Sequence, residues 1–102
     1  MSKRILLIIG AGDYIGSAIA KRFSKGGFTV CMGRRNGEKL VSLTKEINSS
    51  GGLAYWYNFD ARDENITKNI FSDIEKNIGP IDLVIFNVGG NVYFPILETT
   101  SR

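Results

Sequence analysis

Ile5-Leu6-Leu7-Ile8-Ile9-Gly10-Ala11-Gly12-Asp13-Tyr14-Ile15-Gly16, continued by Ser17-Ala18-Ile19-Ala20-Lys21-Arg22-Phe23, joins an unbroken apolar run to an amphipathic one through a glycine-rich turn. Five aliphatic residues without polar alternation suit a strand of a parallel sheet that is covered on both faces. Ile15, Ala18, Ile19, Arg22 and Phe23 recur at helical spacing, so a helix follows the turn. Glycines at such a junction let the backbone approach a bound group closely. The first-turn N–H groups of the helix lack partners within it and carry the positive end of its dipole. The stretch therefore has the form of a phosphate cradle made of backbone.

Working outward, Gly26-Gly27 stops the first helix and Phe28–Met32 reads as a second strand. Asn36 has the character of a cap for a helix over Glu38–Asn48, where Leu40, Val41, Leu43 and Ile47 keep a helical period; Ser49 to Gly52 then end it. Leu53–Phe59 is the third strand, and Asp63 is placed to cap a third helix striped by Ile66, Ile70, Ile74 and Ile78. Gly79-Pro80 stops that helix, Leu83–Phe86 is a fourth strand, and a loop follows over Asn87–Asn91. Thr99 or Thr100 could open one more helix. Alternating strands and helices with short connections imply right-handed crossovers and an α/β doubly wound parallel sheet of order 3-2-1-4. Its ligand crevice lies where strands 1 and 4 meet. On this order strand 4 keeps an apolar edge that natural sheets avoid exposing.

Composition removes several classes of function. No histidine is present, which excludes Ser-His-Asp triads, Cys-His pairs and histidine-bound metals within the chain, and no metal site is expected. Cys31 is the one cysteine and sits in the apolar run Phe28-Thr29-Val30-Cys31-Met32, so a packing thiol is expected. Thirteen basic against ten acidic residues give +3, but the cations are spread along the chain. Tyr55, Trp56 and Tyr57 could form a stacking platform for nucleic acid; alternation on a strand favours packing under helices instead, and no nucleic-acid partner is expected. The five apolar residues before Gly10 are too few for a signal-peptide core or a membrane span. The expectation is a cytoplasmic protein without a membrane partner, formed by residues 1–102 as the amino-terminal part of one domain.

The second strand leads into Gly33-Arg34-Arg35, where a site for NAD would commonly place a carboxylate on the ribose hydroxyls. A glycine followed by two guanidinium groups leaves room and positive charge for the 2′-phosphate of NADP. The plainer reading is that both arginines are solvated loop residues.

Taken together, four stretches resemble the short-chain dehydrogenase/reductase family along essentially the whole chain. GAGDYIG at 10–16 is similar to its glycine-rich cofactor motif, and MGRRNGEKL at 32–40 to the loop of its NADP-preferring members. FDARD at 59–63 is similar to its adenine-contacting turn, and IDLVIFNVGG at 81–90 to its fourth strand and asparagine motif. The resemblance implies a Rossmann fold with cofactor-binding residues Gly10, Gly12, Asp13, Tyr14, Ile15, Gly16, Arg34, Arg35, Asp60, Ala61, Asn87 and Gly89. Asp60 would accept from the adenine amino group and Ala61 would offer its N–H, unless Asp60 is simply a helix cap. Asn87 would bind backbone across the sheet centre, a structural role as open as cofactor contact, and Gly89 would admit the cofactor.

Two positions depart from the family's motif. Tyr14 stands where the middle glycine usually falls; its ring either narrows the site or brings a hydroxyl to the cofactor. Asp13 stands where NADP-preferring members often carry a small polar or basic residue, so it either caps the helix or opposes Arg34 and Arg35. The family's catalytic tyrosine and lysine are four positions apart, whereas Tyr14, Tyr55, Tyr57 and Tyr93 are followed at that distance by Ala18, Phe59, Ala61 and Leu97. No catalytic residue is therefore assigned, and the chain alone is expected to be inactive. The resemblance implies the cofactor-binding half of an NADP-preferring oxidoreductase, NAD being the other nicotinamide cofactor, that moves hydride to or from a small carbonyl or hydroxyl compound. The complete form is expected to be a homo-oligomer. A non-catalytic nucleotide-binding or sensory module is the alternative.

Overall fold

The computed structural model describes residues 4–10, 14–59, 63–88 and 91–93. Strands β1 (Ile5–Ile9), β2 (Thr29–Arg34), β3 (Leu53–Asn58), β4 (Leu83–Val88) and β5 (Asn91–Tyr93) alternate with helices α1 (Tyr14–Lys25), α2 (Val41–Ser49) and α3 (Glu64–Asn77) up to β4. The sheet order is β3-β2-β1-β4-β5, parallel throughout except for the β4–β5 pair. The expected 3-2-1-4 order is thus present, with a fifth strand beyond it.

The pleat sorts the side chains onto two faces. Leu6 and Ile8 of β1, with Val30, Met32 and Ile85, pack against Ala20, Leu40, Leu43 and Ile47 on the α1–α2 side. Ile5, Leu7 and Ile9, with Cys31 and Val84, meet Ile70 and Ile74 of α3 on the other side. Both faces of β1 are therefore buried, which is why its sequence shows no polar alternation. The Asp82 carboxylate accepts the Ile5 N–H at 2.8 Å while the Asp82 N–H donates to the Ile5 carbonyl at 2.9 Å, tying β1 to the start of β4. Asp63 caps α3 as expected, its Oδ1 accepting the N–H groups of Asn65 (3.0 Å) and Ile66 (3.2 Å).

Several boundaries move. Asn36 makes no side-chain cap; a 3-10 turn over Gly37–Leu40 comes first, and α2 starts only at Val41. On α1 the face turned inward centres on Gly16 and Ala20, with Ile19 and Phe23 half-buried, whereas Ile15, Ala18 and Arg22 are exposed. β2 runs on to Arg34 and β4 to Val88, so two residues expected in loops end strands instead. β5 pairs with the last three residues of β4 and covers that end of the edge expected to be bare. The third strand is an edge, so Tyr55 and Trp56 stay about one third exposed rather than lying under helices. The expected helix at Thr99 or Thr100 lies outside the described residues.

Cys31 is fully buried at the centre of the sheet. Burial, reinforced by the Asp73 charge, pushes its thiol up from 9.0 to about 12. Burial and then the 3.1 Å hydrogen bond to Asp73 likewise raise the Tyr57 phenol. Both groups hold their protons more tightly in the folded state than in the unfolded one. Stability from this source is thus complete below about pH 9 and is lost as pH rises toward 12. At pH 8 the folded thiolate fraction is roughly a thousandfold below that of an exposed thiol. Iodoacetamide should therefore leave Cys31 intact in the folded chain and alkylate it promptly once the chain is unfolded in denaturant.

Candidate functional site

The carboxyl ends of β1, β2 and β4 converge where the sheet reverses its winding, and Gly10 is the pivot. Its φ is +94°, in the left-handed region that glycine adopts without a Cβ clash. The Gly10 N–H donates to the Gly33 carbonyl at 2.7 Å, while its own carbonyl accepts from Asn87 Nδ2 at 3.2 Å. An added Cβ would collide with the Asn87 backbone carbonyl. β2 and β4 thereby grip Gly10 from opposite sides and fix the direction in which the chain leaves β1. That direction leads to α1, whose helical backbone starts at Tyr14.

The end of β2 supplies the charge. Gly33 is buried, and a Cβ there would come within 2.9 Å of Phe59 Cβ, so only glycine lets the strand end lie against that ring. Arg34, the last strand residue, is half-exposed, and Arg35 is exposed. Among the described residues neither guanidinium is paired with a carboxylate, the one ion pair being Lys21–Glu46 at 2.9 Å. Two positive side chains thus stand at the carboxyl end of β2 with no carboxylate partner among the described residues.

Of the residues expected to line a site, the structure brings together Gly10, Arg34 and Asn87, with Arg35 next along the chain. Ile15 and Gly16 lie in the first turn of α1, exposed and buried respectively. Asn87 has the backbone-binding role expected for it. Gly12, Asp13, Asp60, Ala61 and Gly89 lie outside the described residues, as does the ring of Tyr14. Sequence reading missed Asn58, whose Oδ1 accepts the Gly37 N–H at 2.7 Å, because an asparagine ending a strand carries no motif. A concavity of about 720 Å³ lies elsewhere. Ser24, Gly27, Ser50 and Gly52 line it at the amino ends of β2 and β3, across the sheet from the glycine turn. Among the described residues no helix is long and apolar enough to cross a membrane.

The family model for short chain dehydrogenases matches residues 4–102. A short-chain dehydrogenase from Rhodopseudomonas palustris superposes with a TM-score of 0.81 at 48% identity, covering all of this chain and 48% of that one. A metagenomic short-chain oxidoreductase in complex with NADP gives 0.77 at 26% identity, over 82% of this chain and 38% of that one. A D-mannonate oxidoreductase from Haemophilus influenza with bound NAD gives 0.75 at 28% identity, over 79% and 29%. The chain also spans 40% of the length of a curated relative that it matches over all 102 residues.

Proposed function

This chain belongs to the short-chain dehydrogenase family, and from that membership we propose that it is the cofactor-binding half of an oxidoreductase that prefers NADP. The observation that carries the preference is Arg34 at the end of β2, one residue beyond the Gly33 carbonyl that accepts the Gly10 N–H. The residues present fit such a cofactor. The Gly10 turn is fixed by its contacts with Gly33 and Asn87, and the amino terminus of α1, the next described element, would supply N–H donors to a pyrophosphate. Arg34 and Arg35 offer planar donors to a 2′-phosphate.

When bound, the nicotinamide supplies hydride to, or takes it from, a carbonyl or alcohol carbon. This chain's part is to bind and orient: Gly10, Ile15 and Gly16 hold the pyrophosphate side, Arg34 and Arg35 the adenosine phosphate, and Asn87 fixes Gly10, the residue that follows β1. Gly12, Asp13, Tyr14, Asp60, Ala61 and Gly89 complete the proposed contact set, Asp60 and Ala61 toward adenine. The 102-residue chain binds without turnover, because it holds no tyrosine followed four residues later by lysine. Calorimetric titration with adenosine 2′,5′-bisphosphate and with adenosine 5′-monophosphate tests the preference. The bisphosphate should bind at least about tenfold tighter, an advantage that shrinks as salt screens the guanidinium–phosphate attraction. Equal affinities would refute it.

A further inference from the structure

We propose that Asn58 is a positioning residue for cofactor choice, acting through the arginine-bearing segment after β2; the inference rests on the NADP reading above. Residues 34–37 leave the sheet as a short loop whose two ends are tied to consecutive residues at the end of β3. At one end the Arg34 carbonyl accepts the Phe59 N–H at 2.7 Å. At the other the Gly37 N–H donates to Asn58 Oδ1, also at 2.7 Å. In the β2–β3 ladder Asn58 pairs with Arg34, so its backbone is committed to the strand end and only its side chain reaches residue 37.

The loop has no slack at that point. Gly37 is buried, and a Cβ there would come within 2.8 Å of Asn58 Oδ1, Trp56 Cε3 and the Tyr57 carbonyl oxygen. Between the two ties only Arg35 and Asn36 stand out into solvent. Asn58 thus presents the two guanidinium groups from a loop held at both ends. Less conformational freedom is then lost when they close on a phosphate. Asn58 is neutral, so its removal changes the loop's freedom without changing the charge at the end of β2. A ligand lacking the 2′-phosphate gains nothing from this arrangement.

The test compares the unsubstituted chain with Asn58→Ala and Asn58→Asp. It reads dissociation constants for NADPH and NADH together with amide hydrogen exchange at Gly37. Asn58→Ala should weaken NADPH roughly five- to tenfold, the worth of one hydrogen bond, leave NADH within about twofold, and speed exchange at Gly37. Asn58→Asp keeps an acceptor oxygen at the same reach and should restore the protection of the Gly37 amide. Equal weakening of both cofactors would mean that Asn58 only supports the fold, and faster Gly37 exchange with an unchanged NADPH-to-NADH ratio would mean that the tie does not govern choice. Either result overturns the proposal. A lack of preference for NADPH in the unsubstituted chain would instead overturn the NADP reading, and this inference with it, before any variant is considered.

Discussion

Gly10→Ala should lower the stability of the chain by about 3 kcal/mol and abolish measurable cofactor binding. Two costs combine at this position. Alanine is strained at a φ of +94°, and its methyl would enter the space of the Asn87 carbonyl, a backbone atom of a central strand that cannot swing aside. Relief requires β1 and β4 to part at their carboxyl ends, which breaks the Asn87–Gly10 hydrogen bond. Gly51 provides the internal comparison, since its φ of +93° is nearly the same but nothing lies within 4 Å of its missing Cβ. Gly51→Ala should cost only the backbone strain, about 1 kcal/mol. Thermal unfolding of the two variants separates the terms: a drop of roughly 12–24 °C is expected for Gly10→Ala and about a third of that for Gly51→Ala. Equal drops would show that the contact with Asn87 carries no weight.

Removing both arginines, as Arg34→Ala with Arg35→Ala, should weaken NADPH binding by roughly 30- to 100-fold while NADH binding changes by less than about threefold. The magnitude follows from charge-assisted hydrogen bonds to a phosphate, reduced because both side chains are partly or fully solvated. Neither side chain belongs to the core, so thermal stability should stay within about 0.5 kcal/mol of the parent. A parallel loss for both cofactors would place the arginines at the pyrophosphate or in general electrostatic attraction rather than at the 2′-phosphate. Repeating the titrations in higher salt adds a check, since the advantage of the parent over the double variant should narrow as the charges are screened.

The parts of the fold read most directly from sequence are those in which one local pattern meets one tertiary demand. The Ile5–Ile9 run declares a strand buried on both faces, and the four-residue spacing of Ile66, Ile70, Ile74 and Ile78 declares the face that α3 lays on the sheet. Asp63 marks the start of that helix because its side chain does the capping locally. Where the outcome depends on neighbours far along the chain, sequence pattern falls short. Asn36 has the chemistry of a cap, but the tie from Gly37 to Asn58 draws the chain into a 3-10 turn first. Ile15 keeps the helical period of α1 yet remains 43% exposed, because the inward face begins at Gly16. Asn91-Val92-Tyr93 is too short to announce a strand and becomes one only because β4 offers an unpaired edge. At the site, the glycines and arginines stood out as motif residues. Their geometry did not, since the grip on Gly10 and the ties on Arg34 and Gly37 join residues up to 77 positions apart.

The most direct test of the central claim is a pair of equilibrium titrations of the same preparation with NADPH and with NADH, followed by the fluorescence of the reduced nicotinamide. Saturable binding of both, with NADPH at least about tenfold tighter in low salt, is the expected result. Tighter binding of NADH, or no saturable binding of either, would contradict the claim that the turn at Gly10 and the arginines at the end of β2 form one site for a 2′-phosphorylated nicotinamide cofactor.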